Sequence, residues 1–174
     1  MSERTVTCLG DMIVHLDGPR LSAGGEAPEA TVQSKFHTPF DLPGDTDGKI
    51  RLVSSVPSLD TSICNEQTML LSKEVAEMGD DFAFITVSMD LPFAQDRWCS
   101  AAGVSRNVVL SDYRDGTFGR ACGTIIRELR ILHRALFVID DENYICYVQY
   151  LPEVHEHPDY ETALTALAVL KGLA

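Results

Sequence analysis

An α/β sandwich, with a central mixed β-sheet flanked by helices, is the fold class predicted by three features of the sequence. Between residues 50 and 110, apolar strand-like runs alternate with a helical period, which implies a parallel sheet core. The β-rich runs 135–139 and 144–150 are joined by Asp140-Asp-Glu-Asn143, which predicts an antiparallel hairpin on the edge of that sheet. Residues 159–173 then form a closing helix, with Pro158 at its start and Tyr160, Leu164, Leu167 and Leu170 facing inward.

Taken in order, residues 5–9 and 13–16 flank Gly10-Asp11-Met12 and predict an N-terminal β-hairpin over about 4–16. A glycine- and proline-rich linker, 18–28, leads to a weak strand over 30–36, and residues 39–48, rich in Asp, Gly and Pro, predict a loop. Residues 50–56 read as a strand that Pro57 stops. From 62 to 78 the apolar positions Ile63, Leu70, Leu71, Val75 and Met78 keep a helical period, and Gly79 ends it. Residues 82–88 predict a buried strand, 92–102 a short helix and 108–110 another strand.

The chain has 174 residues, enough to bury one core without staples, and the expectation is a single domain over 1–174. At 45% apolar and 23% charged it is of ordinary globular composition, which argues against disorder. A net charge of −12 speaks against nucleic acid or an anionic membrane as partner. With no membrane-length apolar run and no signal-peptide core, a cytoplasmic location is expected. Five cysteines, Cys8, Cys64, Cys99, Cys122 and Cys146, are an odd number without a C-x-x-C pair, so a secreted disulfide framework is not indicated.

The segment Pro57-Ser-Leu-Asp-Thr61-Ser-Ile-Cys64 places a thiol where a helix begins after an apolar strand. Unpaired N–H groups and the helix dipole favour a thiolate there, the nucleophilic form of cysteine. Taken alone, Cys64 would be read as a buried inert cysteine, and Thr61 as a helix cap, a role compatible with catalysis. Cys99 lies in the next predicted helix and is a plausible redox partner, with a core residue beside Trp98 as the alternative. Cys146, alternating with Tyr144 and Val148, is expected in the core, and Cys8 is expected to be structural or incidental. His155-Glu-His157 lacks a third ligand nearby and reads as a solvated loop. Arg127, Arg130 and Arg134 are alike by residue type, and a surface ion pair is the default for each.

The spacing Pro57-x-x-x-Thr61-x-x-Cys64 resembles the peroxiredoxin signature. Together with Gln67-Thr68, Asp90-Leu-Pro-Phe-Ala-Gln-x-Arg-Trp-Cys99 and Arg134-Ala-Leu-Phe-Val-Ile-Asp140, it is similar to the thiol peroxidase subfamily from about Val6 to Leu170. This resemblance implies a thioredoxin-like fold, a homodimer and an enzyme that reduces hydrogen peroxide and organic hydroperoxides without metal, haem or flavin. It implies that Cys64 is the peroxidatic cysteine, that Thr61 helps hold the peroxide and that Arg134 favours the thiolate and the leaving oxygen. Pro57 would wall the pocket. Cys99 would resolve the sulfenic acid as a Cys64–Cys99 disulfide, recycled by a thioredoxin-like reductant, and two helical cysteines would meet only after local unwinding.

The chain departs from the subfamily at Met69, where arginine is usual, and at Cys122, where tyrosine is usual. Cys122 would pack in the core or compete as a third thiol. Two other functions fit the same residues: a peroxide-sensing relay that oxidises a partner, and a non-catalytic thioredoxin-like binding module in which Cys64 is unreactive.

Overall fold

Backbone pairing organises the chain into two sheets and four helices among the described residues, which in this computed structural model are 4–8, 10–104 and 107–172. β1 (Arg4–Cys8) and β2 (Met12–Asp17) form the predicted hairpin, turned by Gly10 at φ 84°, a left-handed conformation that glycine adopts without steric cost. β3 (Ala30–Lys35) and β4 (Thr38–Leu42) form a second hairpin. A 3₁₀ turn at Gly44–Thr46 leads to β5 (Ile50–Ser55), α1 (Ser62–Met78), β6 (Phe82–Ser88), α2 (Pro92–Ala102) and β7 (Asn107–Ser111). Then come α3 (Thr117–Ala121), β8 (Ile125–Ile126), β9 (Ile131–Leu132), β10 (Ala135–Ile139), β11 (Ile145–Tyr150) and α4 (Tyr160–Leu170).

The main sheet has the order β11-β10-β5-β6-β7-β3-β4, with β5, β6 and β7 parallel and the flanking pairs antiparallel. It is the mixed sheet that the sequence predicts. The N-terminal hairpin is extended by β8 and β9 into a second, four-stranded sheet. Alternation along the central strands divides the core between the two faces of the main sheet. Val53, Ile85 and Phe137 pack with Leu110, Phe118 and Tyr150 on one face, while Leu52, Phe84 and Leu136 meet Leu71 and Val75 of α1 and Leu167 of α4 on the other. Strands buried on both faces need helices on at least one of them, and α1 and α4 supply that cover. No helix among the described residues is long and apolar enough to cross a membrane.

Several local expectations are corrected. Residues 38–42 are a strand and not loop, because β4 is the edge of the sheet, where Pro39 removes no ladder bond from a central strand. On α1 the inward stripe is Cys64, Gln67, Thr68, Leu71, Ser72 and Val75, which leaves Leu70 exposed. Asp159 is the cap of α4 and not part of it: its carboxylate accepts the Thr162 N–H at 3.0 Å. Cys146 is exposed and not core. The ladder pairs Val138 with Tyr147 and Ile139 with Ile145, so a bulge leaves Cys146 out of register and its side chain is not inward. The proposed strand end at Leu9 and helix end at Leu173 lie outside the described residues.

Candidate active site at the start of α1

Pro57 and the three residues after it turn the chain from β5 into α1. The Val56 N–H still bonds the Val87 carbonyl at 3.0 Å, after which the buried Pro57 has no N–H to continue the ladder. The Ser58 carbonyl accepts both the Thr61 N–H, at 3.1 Å, and the Thr61 hydroxyl, at 2.9 Å. Thr61 is extended at φ −91°, ψ 147°, the N-cap position, but its hydroxyl turns back to Ser58 and does not cap the helix. The capping role considered for Thr61 is therefore positional only. The loop is anchored from the segment just after β6: the Asp90 carboxylate accepts the Ser58 hydroxyl at 2.7 Å, the Leu59 N–H at 2.8 Å and the Ser88 hydroxyl at 2.8 Å.

Cys64 falls in the first turn of α1 and is fully buried. Its sulfur accepts a hydrogen bond from Arg134 Nη2 at 3.3 Å. Arg134 reaches it because Ala135 pairs with Ser55 at the end of the β10–β5 ladder, which sets the preceding residue beside the loop into α1. The guanidinium is 1% exposed, and its other described partners are Gln67 Oε1 at 2.6 Å and the Val154 carbonyl at 3.1 Å. Neither carries a charge. Gln67, one helical turn beyond Cys64, donates in turn to the Ser54 hydroxyl at 2.7 Å and so ties the arginine to the main sheet. Sequence reasoning assigns no role to Gln67 or Asp90; for Gln67 the i, i+3 spacing from Cys64 is the available signal.

Cys99 lies on α2, half-buried, against a cluster made by Val56, Leu59, Cys64 and Trp98. Burial, with Asp96 nearby, pushes its thiol up from the ordinary range. The structure thus brings Pro57, Thr61, Cys64 and Arg134 to one place and sets Cys99 on the adjoining helix, with both Cys64 and Cys99 as free thiols. Between these helices the Trp98 indole N–H donates to Asn65 Oδ1 at 3.0 Å, and Arg97 of α2 pairs at 3.0 Å with Asp60 in the loop before α1.

The remaining candidates separate by position. Cys122 is buried in the core, and burial pushes its thiol far up, while Cys8 is buried beneath the N-terminal sheet. Arg127 pairs with Asp17 at 2.8 Å and Arg130 is exposed. Met69 is exposed on the outer side of α1. His155 and His157 stand in an exposed loop, and no group of three metal-ligating side chains occurs among the described residues.

The redoxin family profile matches residues 22–164. A thiol peroxidase of Oceanobacillus iheyensis is 46% identical over 154 residues, covering 88% of this chain and 93% of that one. The chain belongs to the thiol peroxidases of the redoxin family. Another member, the thiol peroxidase of Bacillus subtilis, is 41% identical over 157 residues, covering 90% of this chain and 93% of its own. Among solved structures, a peroxiredoxin-like protein from Aquifex aeolicus superposes with a TM-score of 0.87 at 36% identity, covering 96% and 97% of the two chains. A thiol peroxidase from Chromobacterium violaceum shares the fold at a TM-score of 0.84 and 17% identity. The thioredoxin-like fold of the family is the one described above.

Proposed function

We propose that this thiol peroxidase reduces hydrogen peroxide and organic hydroperoxides through Cys64, with Cys99 as the resolving cysteine and a thioredoxin-like dithiol as the final reductant. The observation that carries this is the buried Arg134 guanidinium on the Cys64 sulfur. A buried cation whose described partners include no carboxylate is costly, and a thiolate on Cys64 is the negative charge that would offset it. The first turn of α1 adds unpaired N–H groups at the same sulfur.

The thiolate attacks one peroxide oxygen, the O–O bond breaks, and the other oxygen leaves as water or an alcohol after taking a proton. Cys64 becomes a sulfenic acid. Arg134 supplies fixed donors to charge developing on the oxygens, and Thr61 and the helix N–H groups position the peroxide. Pro57 walls the pocket against bulk water. Cys99 then attacks the Cys64 sulfur, the S–O bond breaks, water leaves, and a disulfide forms for the external dithiol to reduce. Since both cysteines stand on helices, part of α1 or α2 unwinds for this step.

Free cysteines fit a reducing, cytoplasmic setting, and the homodimer of the family is the assembly we assign. In a coupled assay with thioredoxin and its reductase, Cys64→Ser removes peroxide turnover; undiminished turnover refutes the assignment. Mass mapping of peroxide-treated protein yields a Cys64–Cys99 link, and a Cys64–Cys122 link instead reassigns the resolving role.

A further inference from the structure

We propose that the hydrogen bond between Asn65 and Trp98 is a latch that sets how fast Cys64 and Cys99 join, which makes Asn65 and Trp98 positioning residues for the resolving step. The inference rests on the Cys64–Cys99 disulfide proposed above. Asn65 directly follows Cys64, and Trp98, the sole tryptophan of the chain, directly precedes Cys99. The indole is 8% exposed, packs in one cluster with Val56, Leu59 and Cys64, and donates its N–H to Asn65 Oδ1 at 3.0 Å.

Either motion that frees a cysteine breaks this bond. Unwinding the first turn of α1 carries Asn65 away together with Cys64, and fraying α2 around Cys99 carries away the indole. A second tie between the two segments, Arg97 to Asp60, has both side chains more than half exposed, and such pairs contribute little. The Asp90 carboxylate holds Ser58 and Leu59 and so anchors the loop before α1, while the turn that carries Cys64 is held to the sheet by Arg134 and Gln67 and to α2 by the Asn65–Trp98 bond.

The latch also divides the fate of the oxidised enzyme. While it is closed, Cys64 sulfenic acid stays in the ordered site, where a second peroxide can oxidise it to the sulfinic acid, releasing a second water or alcohol. Once it opens, the Cys99 thiolate supplies the electron pair for the S–S bond and the sulfenic oxygen departs as water. A weaker latch therefore favours disulfide over overoxidation.

The test is rapid-mixing of the reduced protein with hydrogen peroxide, acid quench and mass spectrometry. Asn65→Ala, a change at an exposed helix position, raises the first-order rate of disulfide formation about 2- to 12-fold, the factor one net hydrogen bond supplies. The second-order loss of the Cys64 thiol stays unchanged, and the sulfinic fraction at high peroxide falls. Trp98→Phe keeps an aromatic side chain without the N–H and gives a similar factor, the double variant adds nothing further, and Asn65→Asp, which keeps an acceptor, restores the slow rate. Disulfide formation that ignores Asn65, or additive effects in the double variant, overturns the latch alone. A wild-type protein that forms no Cys64–Cys99 link overturns the disulfide reading and the latch with it.

Discussion

Replacing Arg134 by methionine removes the guanidinium from Cys64 while filling a similar volume. In the native site the arginine spends one nitrogen on the sulfur, at 3.3 Å, and the others on Gln67 Oε1 and the Val154 carbonyl. A hydrogen bond to a charged group contributes about 1.5–3 kcal/mol, so losing it from the sulfur and the transition state lowers the peroxide rate constant about 10- to 150-fold. Leaving the Gln67 and Val154 oxygens without their donor costs a further ~1–3 kcal/mol each in stability. Arg134→Lys keeps the charge but cannot span three partners in a plane, and should fall between the two. Stopped-flow loss of the Cys64 thiol against hydrogen peroxide reads the first effect, and a urea melt the second. A folded Arg134→Met protein reacting within about twofold of wild type would refute the electrostatic role given to this residue.

Three more outcomes follow from other groups. Disulfide formation should accelerate with pH through the thiol range, because burial and Asp96 hold Cys99 in its protonated form and only the thiolate attacks; Asp96→Asn should move the profile to lower pH, and a flat profile would count against Cys99 as nucleophile. His133 is fully buried and its Nε2 contacts the Leu151 carbonyl at 2.8 Å, and burial lowers its pKa from 6.5 to about 4. The unfolded chain thus takes up a proton first as pH falls, so a stability present above pH 6.5 is lost by about pH 4, up to about 3 kcal/mol. His133→Gln, which keeps a donor without the titration, should flatten that slope in melts at pH 7 and pH 5. Native maleimide labelling should tag the exposed Cys146 well before the buried Cys8 and Cys122, and Cys146→Ser should leave turnover unchanged; labelling of Cys122 first would contradict the packing described.

Much of this architecture was legible because β5 and β6 are apolar-rich runs and α1 keeps a helical period, with Pro57, Gly79 and Pro92 marking boundaries. What escaped was short or locally irregular. α3, β8 and β9 have two to five residues, too few for a period to emerge. β4 was obscured by Pro39, a residue an edge strand tolerates. Cys146 was misplaced because one bulge shifts a period-two pattern by one position. At the site, Pro57, Thr61 and Cys64 are close in sequence and were found together. Arg134 is 70 residues from Cys64, and only family resemblance separated it from Arg127 and Arg130. For Gln67 the i, i+3 spacing places it on the Cys64 face of α1, but nothing local shows that its side chain meets a buried cation.

The irregularities at the two ends of the main sheet have a shared effect. On β11 the outward N–H and carbonyl of Ile145, next to the bulge at Cys146, are already bonded to Gly25 and Gly24, and on β4 Pro39 contributes no N–H at all. A foreign strand aligning with either border would meet a gap within a few residues, so neither border is a good template for templated growth into fibrils. The proline that confuses a strand prediction on one side, and the 24–26 segment laid against β11 on the other, thus terminate the sheet.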